Sequence, residues 1–190
     1  MGFFLVVLSY LIGSIPVGYL LGRMKGVDIR LHGSGNIGAT NVWRTLGPAA
    51  GVTALVLDVA KGLVPVLLGK STGGDALALL CGLAAIAGHS WSVFLGFRGG
   101  KIIATSLGVF LALSPVAALL ALGIWLAVVV LSGYVSLGSI VAAASMPFLM
   151  LALRQPWSYV LFSLVAAAVA VYKHVPNIRR LLAGTEPKIR

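Results

Sequence analysis

Long apolar runs alternate with short polar intervals along the whole chain, and the polar intervals hold most of the charge. The first run is about Phe3 to Leu21, with Gly13 and Ser14 as a small-residue packing face and Pro16 placed to kink it. A polar interval from Gly22 to Gly47 follows. Two more runs cover about Ala49 to Leu68 and Ala76 to Phe94, separated by a turn at Lys70 to Asp75. The stretch from Ile102 to Leu131 would be a helix of about 45 Å, too long for a hydrocarbon core of about 30 Å. Breaking it at Ser114-Pro115 also puts Arg98 and Lys101 in one compartment with the tail cations Lys173, Arg179, Arg180, Lys188 and Arg190. The remaining runs are then about Val116 to Leu131, Leu137 to Leu153 and Trp157 to Tyr172.

This pattern predicts an all-α integral membrane protein with seven transmembrane helices, N-terminus out and C-terminus in. Residues 1–190 are read as a single polytopic membrane domain. The inner segments then hold Arg23, Lys25, Arg30, Arg44, Arg98, Lys101, Lys173, Arg179, Arg180, Lys188 and Arg190, and the outer loops only Lys70 and Arg154. That is the asymmetry of the positive-inside rule. Composition agrees: the 190 residues are 59% hydrophobic and 9% charged, where soluble domains average about 25% charged. The net charge of +10 does not point to nucleic acid, because the cations are spread over topogenic loops and a tail. Cys81 is the only cysteine, so neither an internal disulfide nor a cysteine-based metal site can form. No basic segment precedes the first apolar run, which reads as an uncleaved helix rather than a signal peptide.

The candidate chemistry sits in the polar intervals. Gly33-Ser34-Gly35-Asn36-Ile37-Gly38-Ala39-Thr40-Asn41 combines glycines, which let a backbone approach a ligand, with small hydrogen-bonding side chains, and Arg44 follows. Successive N–H groups in such a loop form an anion cradle; the competing reading is a flexible connection between helices. No Lys-Ser or Lys-Thr pair follows the glycines, so it is not a Walker loop. Phe97-Arg98-Gly99-Gly100-Lys101 opens into a helix and is a second anion candidate, with a topogenic basic loop as the alternative. Asp58 and Lys61 share a helix face inside an apolar run, as a functional pair or as a neutralised pair that locks helices together. The turn Ser132–Ser139 offers hydroxyls at the start of a helix. His174 and Asn177 lie just past the last run, facing one site or forming a polar helix end. His89 precedes the interface aromatic Trp91, without an assigned role.

These motifs recur in this order in one family. The first glycine motif with Arg44, Leu57-Asp-Val-Ala-Lys-Gly62, Gly88-His89, Phe97-Arg-Gly-Gly-Lys101, Tyr134-Val-Ser-Leu-Gly-Ser139, and Tyr172-Lys-His174 with Asn177-Ile and Arg180-Leu-Leu resemble the bacterial acyl-phosphate-dependent glycerol-3-phosphate acyltransferases. The resemblance covers nearly the whole chain. Two positions depart from it: Ile102 stands where the family usually has glycine, and Val175-Pro176 where it commonly has charge. The resemblance implies transfer of a fatty acyl group from acyl phosphate to the sn-1 hydroxyl of glycerol 3-phosphate, giving lysophosphatidic acid and phosphate.

It also implies roles. Ser34, Gly38, Thr40, Asn41, Gly99, Gly100 and Ser139 would hold the acyl phosphate head, and Arg44, Lys101, His174 and Asn177 would hold glycerol 3-phosphate, with Asp58 and Lys61 as a support pair. Ser34, Lys101 and His174 are expected to matter most in a substrate-assisted reaction with no cofactor and no metal. The expected partners are the two substrates and the lipid bilayer, with no nucleic acid, for a monomer in the bacterial cytoplasmic membrane whose active site faces the cytoplasm. Glu186 is expected to lie outside the motifs. A small anion transporter or channel subunit is the competing class, opposed by the absence of an inverted repeat and by motifs gathered on one face. An acyl-CoA-dependent enzyme is opposed by residues five beyond each histidine, Ile37, Phe94 and Arg179, none of them acidic.

Overall fold

A computed structural model describes residues 1–189; the tail cation Arg190 lies outside the described residues. Among them there are helices and turns but no strand. The helices are α1 (Gly2–Ser14), α2 (Val17–Met24), α3 (Ala39–Leu46), α4 (Pro48–Ser90), α5 (Ile103–Leu113), α6 (Pro115–Ser132), α7 (Val135–Ala152), α8 (Trp157–Lys173) and α9 (Val175–Leu182). α4, α6 and α7 are each long and apolar enough to cross a membrane. The pairs α1/α2 and α8/α9 also qualify, bent by 42° and 56°.

The breaks follow local chemistry. Pro16 has no N–H to continue α1, so the chain bends there and α2 starts afresh. α4 is two helical arms, because Gly73 and Gly74 leave helical geometry, Gly74 at φ +66°. Ser114-Pro115 separates α5 from α6 at the expected place, with proline in the first turn of the new helix. The third apolar run ends earlier than its hydropathy suggests. α4 stops at Ser90, and Trp91 to Arg98 form a tight hairpin with a 3-10 turn at Val93–Leu95 and a bridge between Ser92 and Arg98.

The chain divides into two compact units, Met1–Ala112 and Leu113–Arg190. In the first, small residues allow helices to cross at backbone distance. A Cβ at Gly13 would overlap the Ala85 carbonyl, and one at Gly88 the Tyr10 carbonyl, so α1 lies directly on the second arm of α4. Gly62 against Thr105 and Gly108 against Val59 do the same for α5 on the first arm. Val17, Ile29, Ile37, Val42, Ala50 and Ala54 form a buried cluster beneath the Gly33–Asn41 loop.

In the second unit, α6 packs on α7 and α7 on α8. Gly133, at φ +79°, makes the turn between α6 and α7. The tail returns to that turn: Ile189 N–H donates to the Gly133 carbonyl at 2.9 Å, and the Lys188 ammonium lies 5.3 Å from the Tyr134 ring centre.

Candidate functional site

The Gly33–Asn41 loop is organised by one side chain. Asn41, 2% exposed in the first turn of α3, accepts the Ser34 N–H through Oδ1 at 2.9 Å. Its Nδ2 lies 3.1, 3.1 and 2.8 Å from the carbonyls of Ile29, His32 and Asn36. The Asn36 side chain in turn accepts the Gly38 N–H at 2.9 Å. Gly33 and Gly35 sit at φ +59° and +67°, where a residue without Cβ is favoured. The loop therefore holds a curled backbone with Ser34 and Thr40 exposed at its rim and Gly38 half-buried. Arg44 lies in the last turn of α3, exposed. Asn41, expected as a ligand, spends its amide on the loop itself.

The Arg98–Ile102 turn is organised from below. Gly100 N–H donates to the His89 carbonyl at 3.0 Å. A Cβ at Gly99 would overlap that carbonyl, and one at Gly100 would overlap the imidazole Nε2. Both glycines are required by close approach to a histidine for which the sequence offered no role. Lys101 follows, half-buried. Ile102, where the resembling family usually has glycine, stands at φ +65° and is fully buried. A β-branched residue in the left-handed region is strained, at a cost of order 1–3 kcal/mol.

Asp58 and Lys61 are buried at 2% and 6% exposure and pair at 2.8 Å. The Lys61 ammonium also donates to the Ile15 carbonyl at 2.9 Å, in the break between α1 and α2. The neighbouring Ser14 carbonyl takes the Ser92 hydroxyl at 2.6 Å. Asp58 Oδ1 lies 3.8 Å from His89 Nδ1, an electrostatic contact longer than a hydrogen bond.

The first unit brings both glycine segments to one cavity of about 400 Å³, lined by Gly35, Ile37, Arg98, Gly99, Arg30, Asp28, Leu31 and Leu95. Sequence reasoning assigned no site role to Arg30 or Asp28. Asp28 caps the Ile29–Leu31 turn and holds the Arg30 guanidinium by contacts of 2.6 to 3.3 Å; Arg30 also stacks on Tyr19 at 4.6 Å. Hydrogen bonding from Arg30 lowers the Asp28 carboxyl to a pKa of about 2. The signal in the sequence was opposite charges flanking a buried isoleucine, too common to stand out.

In the second unit, Ser139 is buried in the first turns of α7, donating to the Val135 carbonyl at 2.9 Å and 3.3 Å from the Trp125 indole nitrogen. His174 sits at the α8/α9 bend, 3% exposed, with Nδ1 2.7 Å from the Ala170 carbonyl. A carbonyl can only accept, so Nδ1 carries a proton and a neutral His174 keeps its lone pair on Nε2. Asn177 donates to Glu186 at 2.7 Å, and Arg180 donates to the other Glu186 oxygen at 2.7 Å. Glu186, expected to lie outside the motifs, is thus a buried partner of one of them. Desolvation pushes its carboxyl up; Ser136, Asn177 and Arg180 pull it down further, leaving it below the usual glutamate value. Among the described residues no group of histidine, cysteine and carboxylate side chains is arranged to hold a metal ion.

The sequence model of one family, glycerol-3-phosphate acyltransferase, matches residues 3–184. A glycerol-3-phosphate acyltransferase of Desulforudis audaxviator is 60% identical over 95% of this chain and 92% of its own length. Glycerol-3-phosphate acyltransferase 2 of Moorella thermoacetica is 54% identical over 97% and 95%. Two crystal structures of PlsY (YgiH), an integral membrane glycerol 3-phosphate acyltransferase, superpose on the whole chain at 41% identity. The glycerol 3-phosphate form gives a TM-score of 0.97 over 96% of that protein, and the lysophosphatidic acid form 0.94 over 95%.

Proposed function

The chain belongs to the glycerol-3-phosphate acyltransferase family, and on that premise we propose that acyl phosphate is its donor and the sn-1 hydroxyl of glycerol 3-phosphate its acceptor. Both substrates carry a phosphate. The observation that supports this reading is the cavity onto which the Gly33–Asn41 loop and the Arg98–Lys101 turn both open, with Arg30 and Arg98 on its walls.

In this reading the acyl phosphate head is held by Ser34, Gly38, Thr40, Gly99, Gly100 and Ser139, with Asn41 shaping the loop. Arg44, Lys101, His174 and Asn177 serve the acceptor. Asp58 and Lys61 support from within the helices. The acceptor hydroxyl attacks the acyl carbonyl, the bond from that carbon to the phosphate oxygen breaks, and the departing phosphate takes the hydroxyl proton. Inorganic phosphate and the ester result. The phosphate already activates the carbonyl, so the protein's part is orientation and charge stabilisation.

We read the membrane arrangement as seven spans: α1/α2, the two arms of α4, α5, α6, α7 and α8. The Gly73-Gly74 and Ser114 breaks support that count, as the cation asymmetry supports a cytoplasmic tail. The host membrane is then the bacterial cytoplasmic membrane, with the glycine segments inside.

Purified protein assayed with labelled glycerol 3-phosphate is expected to form product with acyl phosphate and not with acyl-CoA; the reverse preference overturns the donor. His174→Gln at saturating glycerol 3-phosphate is expected to raise KM with a modest fall in kcat. A loss of kcat of about 10²–10⁴ with KM unchanged would make His174, through Nε2, the general base instead.

A further inference from the structure

We propose that His89 is a positioning residue for the Gly99–Gly100–Lys101 turn, its imidazole serving as the floor on which Gly100 rests, with the charge of the buried Asp58–Lys61 pair behind it. This rests on the reading of that turn as part of the phosphate cradle. The main-chain carbonyl of His89 takes the Gly100 N–H at 3.0 Å, and its ring occupies the space that a Gly100 side chain would need. On the far side of the ring, Nδ1 faces Asp58 Oδ1 at 3.8 Å. Asp58 is fixed by Lys61 at 2.8 Å, and Lys61 by the Ile15 carbonyl at 2.9 Å.

The turn is thus connected, through three buried ionisable side chains on the two arms of α4, to the break at Pro16. Ionisable groups at such depth are costly and are retained where they serve a site. At 3.8 Å the carboxylate acts on the ring through its charge rather than through a hydrogen bond, and favours a ring turned with a protonated Nδ1 toward it. The ring's shape then fixes the height of Gly100, and with it the place where Lys101 leaves the backbone.

The test is a size swap. Gly100→Ala should lower kcat/KM for glycerol 3-phosphate about hundredfold, the scale of a 1 Å misplacement in a reacting site. His89→Ala should cause a smaller loss, carried by KM rather than kcat. In the double variant the new methyl enters the space of the missing ring, so its kcat/KM should be no worse than that of His89→Ala. A double variant as poor as the product of the two single losses overturns the inference, because Gly100 would then be needed for its own contact with substrate.

Lys101→Ala, run alongside, separates the role of the turn from the role of His89. Unimpaired acceptor kinetics there defeat the cradle reading; impaired Lys101→Ala with multiplicative single losses defeats only the role of His89. Should Gly100→Ala not fold, nitrogen-15 spectra of histidine-labelled protein, with His89 assigned from His89→Gln, should show a protonated Nδ1. An unprotonated Nδ1 at His89 overturns the proposal.

Discussion

Two glycine segments open on the same cavity, and they are held in opposite ways. The Gly33–Asn41 loop is self-contained: Asn41 ties together residues no more than twelve positions away. The Arg98–Ile102 turn rests on His89, about as near in sequence, and His89 in turn lies against residues from far along the chain, Asp58 and Lys61 and then the carbonyl at Ile15. A loop fastened by its own amide keeps its shape as long as one short helix stands. A turn resting on stacked charges keeps its shape only if several helices are in register. The second should be the more sensitive to changes in packing, and the first to one side chain.

The largest effect should come from Asp58→Leu. Removing one member of a buried pair leaves Lys61 uncompensated and destabilises by about 3–5 kcal/mol, read as a fall in the thermal midpoint in detergent. Adding Lys61→Met should restore most of that stability, since an apolar pair of similar size replaces a buried ion pair at little net cost. Activity should stay low in the double variant, because the carboxylate that faces the His89 ring is gone. Recovery of activity together with stability would mean that the two segments are not held differently after all.

A smaller effect is expected for Asn41→Leu, which keeps the branching and heavy-atom count and removes every amide contact. Each buried backbone group left without a partner costs about 1–3 kcal/mol. The loop lies at the surface, however, and water can reach most of these groups. Stability should fall modestly, while kcat/KM should fall at least tenfold, as expected when a charged or preorganised contact of about 1.5 kcal/mol or more is lost. Equal losses of stability in Asn41→Leu and Asp58→Leu would erase the contrast.

The smallest effect concerns the wall the segments share. Asp28 has a pKa of about 2 when folded, against an ordinary 3.8. Its ionisation therefore favours the folded state fully above about pH 4, and that contribution is lost as pH falls through about 2. The difference in thermal midpoint between wild type and Asp28→Asn should be small and constant above pH 4, and close on acidification toward pH 2. A difference that grows on acidification would contradict the Asp28–Arg30 contact.

The helical membrane class was legible because apolar runs and charge spacing act over whole segments. The break at Ser114-Pro115 was legible because proline has one strong local effect. The hairpin after Ser90 was not, since Trp91, Val93, Phe94 and Phe97 are apolar and read as more helix; what ends the helix is the close passage of Gly99 and Gly100 over His89. The two glycine segments and Asp58/Lys61 could be picked out by residue type. The work of Asn41 inside its own loop, of Arg30 on the cavity wall, and of Glu186 beside Asn177 could not, because each depends on a tertiary approach that spacing does not reveal.

Ile102 gives the second turn a clock. Its backbone is held in the left-handed region by the packing around a fully buried side chain and by its carbonyl, which accepts the Ser106 N–H at 2.7 Å. Any fluctuation that loosens this packing also releases the strain, so local opening is easier here than along the helices on either side. Amide hydrogens between Gly100 and Ser106 should then exchange with solvent ahead of those in the middle of α4 or α7. The turn proposed to receive a phosphate would then open sooner than the helices that carry it.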